Sequence, residues 1–574
     1  MTELFDDLST LDPRQRELIE LMFAHDGRTQ RAASPPASPR EAALAMIWQE
    51  VLGVPEVGTN VSFFDLGGDS ILSMQVVSRA RRQGFTFGTQ ELFEYPTIAE
   101  LARIELAAND TQQDQRVSGR LEITPIQRWF FSLQLRNRNH WNLEALIQAR
   151  APLRLSDARA ALQAVIDHHD VLRLRCSSLE QEPDLVLAEE ETVVVGEIEL
   201  LKGEDPSSVL SPLHASLDLV RGPLIRMTAI RSADGDCRHL AIVVHHLACD
   251  WVSMRILLED LETAYLQASA GLPLRLPPKT TSYLRYAEHL QKQALEDSQR
   301  TQLHAWYEEA LRAVQAHGRE SEAGSLTEAS TRWHERSVSA ELTQRLLRDS
   351  RAVTGAEVHE LLLQAAMSGM QMVEGTDSLL IDVEMHGRDA HAATAGDFSR
   401  TIGWFAQMVP VLLTPHSDDS LPVALSRTVQ AWRSAKRQAV AYMQACYGSA
   451  PSPTLAPIRA RFGFNYLGQF GSAHSDCAFR LIATPAADVY ARDGARPHEI
   501  EVVAYCLDGR MHVRWGYAST RCEASVIEKA ASVTIATLEA MLRLSQHRTH
   551  ATSSDFPDAE LDADDITTLF GQDK

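Results

Sequence analysis

The chain has little of what would tie it to a membrane, to nucleic acid or to an oxidising compartment. Its 574 residues include seven cysteines: Cys176, Cys237, Cys249, Cys446, Cys477, Cys506 and Cys522. None forms a Cys-x-x-Cys pair, and their scatter fits neither a disulfide framework nor a zinc pattern, so reduced thiols are expected. Basic residues are in deficit, 55 Lys and Arg against 77 Asp and Glu, leaving a net charge of −22. So acidic a chain lacks the basic patches that nucleic acid and anionic membranes require of a partner. Its longest apolar runs fall well short of the ~20 residues that span a bilayer. The first residues include Asp and Glu, with no secretory h-region. A cytoplasmic protein is therefore expected. At 44% hydrophobic residues it can bury large cores, and its length predicts three or four units.

Composition and periodicity divide the chain. Residues 1–39 hold a short amphipathic stretch, Arg16 to Phe23, and a Pro- and Ser-rich linker from about Thr29 to Pro39. Residues 40–106 read as a compact helical unit whose first helix includes Glu41 to Trp48. Residues 107–119 form a second polar linker. From about 120, strand-like apolar runs alternate with amphipathic helices, the pattern of a mixed α/β region. Helices are predicted over Asp157 to His168 and Arg255 to Leu266. Strands are predicted over Leu240 to Val244, Leu379 to Val383 and Met408 to Leu413. A polar stretch from Ala316 to Thr331 reads as a loop between two halves, 120–315 and 316–546. The tail, 547–574, alternates acidic residues with a sparse apolar stripe around Glu560 to Phe570. It reads either as a disordered acidic terminus or as a short helix that docks on a partner.

In the small unit the string Phe63-Phe64-Asp65-Leu66-Gly67-Gly68-Asp69-Ser70-Ile71 places Ser70 at the start of a helical pattern. Apolar residues recur at Ile71, Met74, Val77 and Ala80, and Gly84 is a stop. A serine there is either a helix N-cap or a hydroxyl exposed where free N–H groups and the helix dipole favour a phosphodiester. The nine-residue string resembles the phosphopantetheine attachment site of peptidyl carrier domains in non-ribosomal peptide synthetases. The resemblance implies 4'-phosphopantetheine on Ser70 and a small four-helix carrier fold.

In the large region, Val243-Val244-His245-His246-Leu247-Ala248-Cys249-Asp250-Trp251 brings two histidines to the end of an apolar strand. Strand alternation would turn them to opposite sides, one toward a cavity and one inward. No third ligand lies at metal-binding spacing, so no metal site is expected. Asp382 to Asp389 follows another apolar strand. Glu384 lies at its end and Gly387 can form the turn, so Glu384 and His246 suggest an acid/base pair. Asp397 to Phe405 and Phe464 to Phe470 mix aromatics with Gly and polar groups, as a tunnel wall or a packed core would. His168-His169-Asp170, by contrast, follows a helix and reads as structural.

In order and approximate spacing these segments resemble the epimerization domains of non-ribosomal peptide synthetases. Thr124 to Phe130 is similar to the family's opening motif, His245 to Asp250 to its His-His motif, and Glu384 to Asp389 to its Glu-containing motif. Ser399 to Phe405 and Phe464 to Phe470 resemble two later motifs. Condensation domains share the fold and the His-His motif but not the Glu-containing motif or Phe-Asn-Tyr-Leu-Gly-Gln-Phe. The resemblance implies two chloramphenicol-acetyltransferase-like lobes meeting at a tunnel. It also implies inversion of Cα in a carrier-bound aminoacyl or peptidyl thioester, with His246 and Glu384 as acid and base. The thioester acidifies the α-proton, so pyridoxal phosphate is not implied. His245, Asp250, Arg388, Asn465 and Tyr466 are supporting candidates: Arg388 as an ion-pair partner of Asp250, Asn465 and Tyr466 as donors to an enolate oxygen or as positioning groups.

Several positions depart from that pattern. Trp251 stands where the His-His motif ends in Gly, and Met254 where the family has Trp, a possible exchange of volume. Met385 replaces Gly, Gly471 an expected Asp, and the sixth motif is poorly kept around Ala441 to Gly448. Two alternatives therefore stand beside epimerization: an inactive docking platform, and a condensation catalyst using His246. The chain has no room for an adenylation domain and no Gly-x-Ser-x-Gly thioesterase motif. Expected partners are a phosphopantetheinyl transferase, an upstream adenylation/condensation module that loads Ser70 in trans, and a downstream condensation domain reached through the tail. A free-standing protein is expected, with a piece of a larger synthetase as the alternative.

Overall fold

The computed structural model describes residues 34–104, 116–179, 183–193, 195–233, 235–293, 297–317, 326–375, 378–388, 396–414, 419–470, 477–483 and 489–544. The stretch Arg16 to Phe23 and the acidic tail lie outside them.

The small unit is helical, as expected. Its helices are Pro39–Leu52, Ser70–Arg82, Thr89–Glu94 and Ile98–Leu101. Ser38 caps the first through the Glu41 N–H, Pro39 sits in its first turn, and Gly53 ends it in the left-handed region. Thr97 and Glu100 form a capping box on the last. The apolar faces converge on fully buried Trp48, Phe63, Leu92 and Leu101, and Phe63 meets Trp48 edge-on at 5.0 Å.

The strands that follow are β1 Gly119–Leu121, β2 Asn142–Ala149, β3 Leu174–Cys176, β4 Leu185–Leu187, β5 Gly196–Glu199, β6 Ile225–Arg231, β7 Cys237–His245, β8 Thr331–Ser337, β9 Leu379–Met385, β10 Gln407–Leu413, β11 Phe462–Phe470, β12 Phe479–Ala483, β13 Ile500–Leu507 and β14 Arg510–Ala518. They form a five-stranded sheet in the order β12-β2-β7-β6-β5, a six-stranded sheet in the order β10-β9-β11-β13-β14-β8, and a small sheet β1-β4-β3. Each large sheet anchors one lobe.

The central position of β7 explains why its sequence is apolar throughout rather than alternating. Leu240, Ile242 and Val244 face one core, while Ala241 and Val243 face a second on the other side. A strand covered on both faces needs apolar residues on both. In the second lobe Ile381 and Val383 of β9, Val409 and Val411 of β10 and Phe464 of β11 share a core with the helices Val358–Glu374, Leu421–Tyr447 and Ala524–Leu544.

The predicted elements are present with extended bounds: Leu155–His168 and Trp251–Ser269 as helices, β7, β9 and β10 as strands. Ala316 to Thr331 differs from the expected loop, because the helix Asp297–His317 runs into it and Thr331 already opens β8. Nor does a division at 315/316 follow the sheets. β12 comes late in the chain yet pairs with β2 of the first lobe. Its pairing partner lies over 300 residues away, a distance at which local pattern carries no information.

The helical unit sits against the second lobe and the seam between the lobes. Met74 is buried in the first-lobe core cluster rather than in its own unit's core. A Cβ on Gly67, at φ +91°, would lie 2.3 Å from the Leu347 carbonyl oxygen. Arg348 donates to the Gly53 carbonyl at 3.2 Å, Arg351 lies over the Phe64 ring at 5.1 Å, and Arg81 pairs with Asp397.

Candidate active site

Asp69 caps the helix Ser70–Arg82: its Oδ1 accepts from the Leu72 N–H at 2.7 Å. Capping therefore falls to Asp69, and Ser70 is the first helical residue, at the positive end of the dipole. The helix stops as expected, with Gly84 at φ +85° and the Phe85 N–H bonded back to the Ala80 carbonyl.

The β7 strand ends at His245, and His246 opens a short 3-10 turn. His245 is internal: its Nε2–H donates to the Arg138 carbonyl at 2.8 Å and its Nδ1 accepts from the Leu247 N–H at 3.1 Å. Burial pushes its pKa down to about 3. It is a structural residue, satisfied on both ring nitrogens. His246 instead lines a cavity, with its backbone N–H on the Trp141 carbonyl at 2.9 Å. Its ring lies 4.3 Å from that of Trp404, and its Nδ1 is buried with no well-directed hydrogen-bond partner. Burial lowers its pKa to about 4, against the pull of Asp250. It is therefore a neutral imidazole at pH 7, free to accept a proton.

Glu384 lies on β9, between Met408 of β10 and Asn465 of β11 in the pairing register. It lines the same cavity as His246, about 110 Å³ in volume, with Trp251, Asp382, Asn465, Tyr490, His498 and Glu501 also in its walls. Burial, then the charges of Asp250 and Glu501, raise the Glu384 pKa to about 7, and a hydrogen bond with Asn465 works against the rise. A carboxyl that titrates near neutrality can serve as either acid or base. One chamber at the lobe junction thus holds a neutral imidazole from the first sheet and a half-ionised carboxyl from the second.

Asp250 and Arg388 hold the junction. Arg388 Nη1 and Nη2 reach the two Asp250 oxygens at 2.9 and 3.0 Å, and Nη2 also donates to Ser253 Oγ at 2.7 Å. Asp250 caps the helix Trp251–Ser269 through the Ser253 N–H and accepts the Phe405 N–H at 3.0 Å. Burial would raise its pKa, but Arg388 and these donors outweigh that and hold it below the ordinary value.

Asn465 and Tyr466 part company. Asn465 is in the chamber beside Glu384. Tyr466, next on the strand, lines a second cavity of about 90 Å³ together with Asp69, His359 and Lys436, and is absent from the His246 chamber. Its hydroxyl is buried with no hydrogen-bond partner. Tyr466 is thus on the carrier side, in a cavity that Glu384 and Asn465 also border but His246 does not.

Sequence reasoning gave no role to Trp404, although it lies in a segment singled out for its aromatics, nor to Asp382, His498 and Glu501. His498 bonds Asp382 at 3.0 Å, and Glu501 pairs with Arg496 at 3.2 Å. Glu501 and His498 reach the chamber on and just before β13, through pairings the sequence does not signal, whereas Asp382, two residues before Glu384 on β9, shares its face by strand alternation. In the His168-His169-Asp170 segment, His169 Nε2 bonds Asp260 at 2.9 Å, while Asp170 serves Arg173 and Lys279. His168, His169 and Asp260 lie close enough for a metal. However, Arg400 occupies Asp260 and Lys279 adjoins the cluster, so the local charge disfavours a cation.

The condensation-domain family matches residues 117–561, and the phosphopantetheine attachment site matches residues 42–104. The chain therefore belongs to the condensation-domain family and carries a phosphopantetheine attachment domain before it. Chondramide synthase cmdD of Chondromyces crocatus is 33% identical over 94% of this chain. Surfactin synthase subunit 1 of Bacillus subtilis (strain 168) is 31% identical over 96%. The chain spans only 14% and 16% of those two relatives. Among solved structures, the epimerization domain from the third module of tyrocidine synthetase B superposes with a TM-score of 0.68 at 26% identity, covering 75% of this chain and 98% of that one. The X-domain from teicoplanin biosynthesis shares the fold, with a TM-score of 0.56 at 18% identity over 74% of this chain and 95% of its own.

The protein is thus a carrier followed by a condensation-family domain of the non-ribosomal peptide synthetase type, with the chloramphenicol-acetyltransferase-like fold in its large part. The domain that holds Ser70 is an attachment site for 4'-phosphopantetheine. The site fits the group: Asp69 takes the capping duty and lines a cavity leading toward the lobe junction. Among the described residues no helix is long and apolar enough to cross a membrane.

Proposed function

We propose that the large domain epimerizes Cα of an aminoacyl or peptidyl group carried on Ser70, converting L to D. The observation that carries this reading is the shared chamber of His246 and Glu384, one group from each lobe. Phosphopantetheine, when bound, holds the acyl group as a thioester and so acidifies its α-proton. The chain's residues then have two tasks. One of the pair takes the α-proton and the other returns a proton to the opposite face, so that one proton leaves and one arrives. Below about pH 7 the pair's proton rests on Glu384, because burial favours the neutral carboxyl and the neutral imidazole alike. Asn465 orients the Glu384 carboxyl. Trp404, against the His246 ring, fixes the imidazole plane.

In this reading an upstream adenylation/condensation module loads Ser70 in trans. A downstream condensation domain receives the D product, with residues 547–574 as its docking segment. The deciding experiment loads Ser70 with a small panel of L-aminoacyl- and L-peptidyl-pantetheines in deuterated water, then measures chirality and α-deuterium of the released acids. D product with deuterium, lost in Glu384→Gln and in His246→Ala, supports epimerization. No deuterium across the panel in folded, fully pantetheinylated protein moves the assignment to a docking platform. Peptide formed with an added aminoacyl carrier moves it to condensation.

A further inference from the structure

Two cavities approach the lobe junction from different sides. One contains His246 and Glu384; the other contains Asp69, the neighbour of Ser70. Their walls have four residues in common: Trp251, Glu384, Asn465 and Leu467. Three of these belong to the second sheet, where β9 and β11 are paired and Glu384 and Asn465 stand in register. That side of the divide is fixed. Trp251 alone comes from the first lobe, in the first turn of the helix capped by Asp250.

Its backbone is anchored, because Arg388 holds Asp250. Its ring is held less firmly: the indole is only half-buried, packing on the edge of the first-lobe core and edge-on to Phe470 at 5.5 Å, with a cavity on each side. Opposite it, the β11 pairing shifts register between Tyr466 and Gln469, and Gly468 has φ +82°. The wall is therefore irregular where the ring meets it. Met254, the other departure in this turn, is buried inside the first-lobe core, whereas Trp251 packs on that core's edge and also borders both cavities.

We infer that Trp251 is the gate between the carrier-side cavity and the acid–base chamber. With the indole in this position the passage is closed, and a chain entering from Ser70 can border Glu384 from the carrier side but stops short of His246. Turning the ring aside joins the two cavities. Trp251 thereby decides whether, and how often, a carried group that borders Glu384 also meets His246. Its effect on turnover rests on the epimerase reading; its effect on passage does not.

The test reads passage without chemistry. The full chain is converted to the holo form, and alkylation of the terminal thiol on Ser70 by iodoacetamide is followed by mass spectrometry, with free pantetheine giving the intrinsic rate. The wild type is expected to react near the intrinsic rate. Trp251→Gly is expected to be protected about fivefold, the value for an arm inserted about 80% of the time, with Trp251→Phe between them. Trp251→Leu replaces the glycine variant if that one does not fold. Equal thiol rates in the wild type and the folded smaller variants, or protection already complete in the wild type, overturn the gate. If the epimerase reading also holds, α-deuterium uptake rises in Trp251→Gly in parallel with protection. Protection without uptake in any variant leaves the gate standing and removes the epimerase.

Discussion

Asp250 and Arg388 form a bidentate ion pair that ties the helix after the His-His turn to the segment after Glu384. Both side chains are almost fully buried, and the Arg388 guanidinium also lies 4.2 Å from the Phe405 ring centre. Removing one partner leaves the other charged and buried, which costs about 3–5 kcal/mol. Arg388→Met is expected to lose stability on that scale in chemical unfolding. Asp250→Asn combined with Arg388→Gln is expected to lose much less. A loss in Arg388→Met no greater than that of a surface substitution would refute the buried-charge account.

The two chamber groups push stability in opposite directions with pH. His246 titrates at about 4 in the fold against 6.5 ordinarily, so the unfolded chain binds the extra proton between those values and stability falls on acidification through that window. Glu384 titrates at about 7 against 4.5. There the folded chain holds the extra proton, and stability falls as pH rises from 4.5 to 7. The windows overlap and largely cancel. Glu384→Gln is expected to unmask a steeper acid-side decline, by about one proton per molecule, and to gain stability at pH 8. His246→Asn is expected to unmask the opposite slope. Melting temperature against pH in the three proteins checks both signs.

Docking of the carrier depends on few polar contacts. The Arg81–Asp397 pair is partly exposed, so it contributes no more than about 1 kcal/mol to stability. Arg81→Glu is expected to leave the melting temperature nearly unchanged while weakening the docked arrangement, seen as a larger radius of gyration in solution scattering. Asp397→Arg in the same chain should restore compactness. Gly67→Ala tests the neighbouring contact, since its Cβ would meet the Leu347 carbonyl and its positive φ disfavours any side chain. A radius unchanged in both Arg81→Glu and Gly67→Ala would show that these contacts do not set the arrangement.

Local signals in the sequence account for part of this site. The apolar runs Leu240 to Val244 and Leu379 to Val383 mark β7 and β9, and with them the places where His246 and Glu384 emerge. The sequence offered Arg388 as one partner for Asp250, but the contact joins strand ends of two different sheets and appears only in the fold. Other features are invisible locally. β12 joins the first sheet because β2 offers an open edge, not because of its own pattern. Glu501 and His498 enter the chamber through a strand that pairs with β11. The separation of Asn465 from Tyr466 depends on which face of β11 meets the junction, which neighbouring strands decide. Trp251 is conspicuous in sequence as bulk beside His246, but that it borders two cavities emerges only when both lobes and the carrier are in place.

Asn465 and Tyr466 give a paired prediction, because adjacent residues on one strand have been assigned different tasks. Asn465 donates to Glu384 and so partly offsets the rise in its pKa. Removing the donor in Asn465→Ala removes that opposition. The limb of the pH–rate profile that reports Glu384 should move to higher pH by up to about one unit. Tyr466 lies outside the His246 chamber, so Tyr466→Phe should leave that limb in place and act on carrier-side access instead. Its buried hydroxyl has no partner in the fold; removing it costs no internal hydrogen bond, and stability is expected to hold or improve slightly. A shifted profile in Tyr466→Phe, or an unshifted one in Asn465→Ala, would show that the division of β11 between the two cavities does not govern the chemistry.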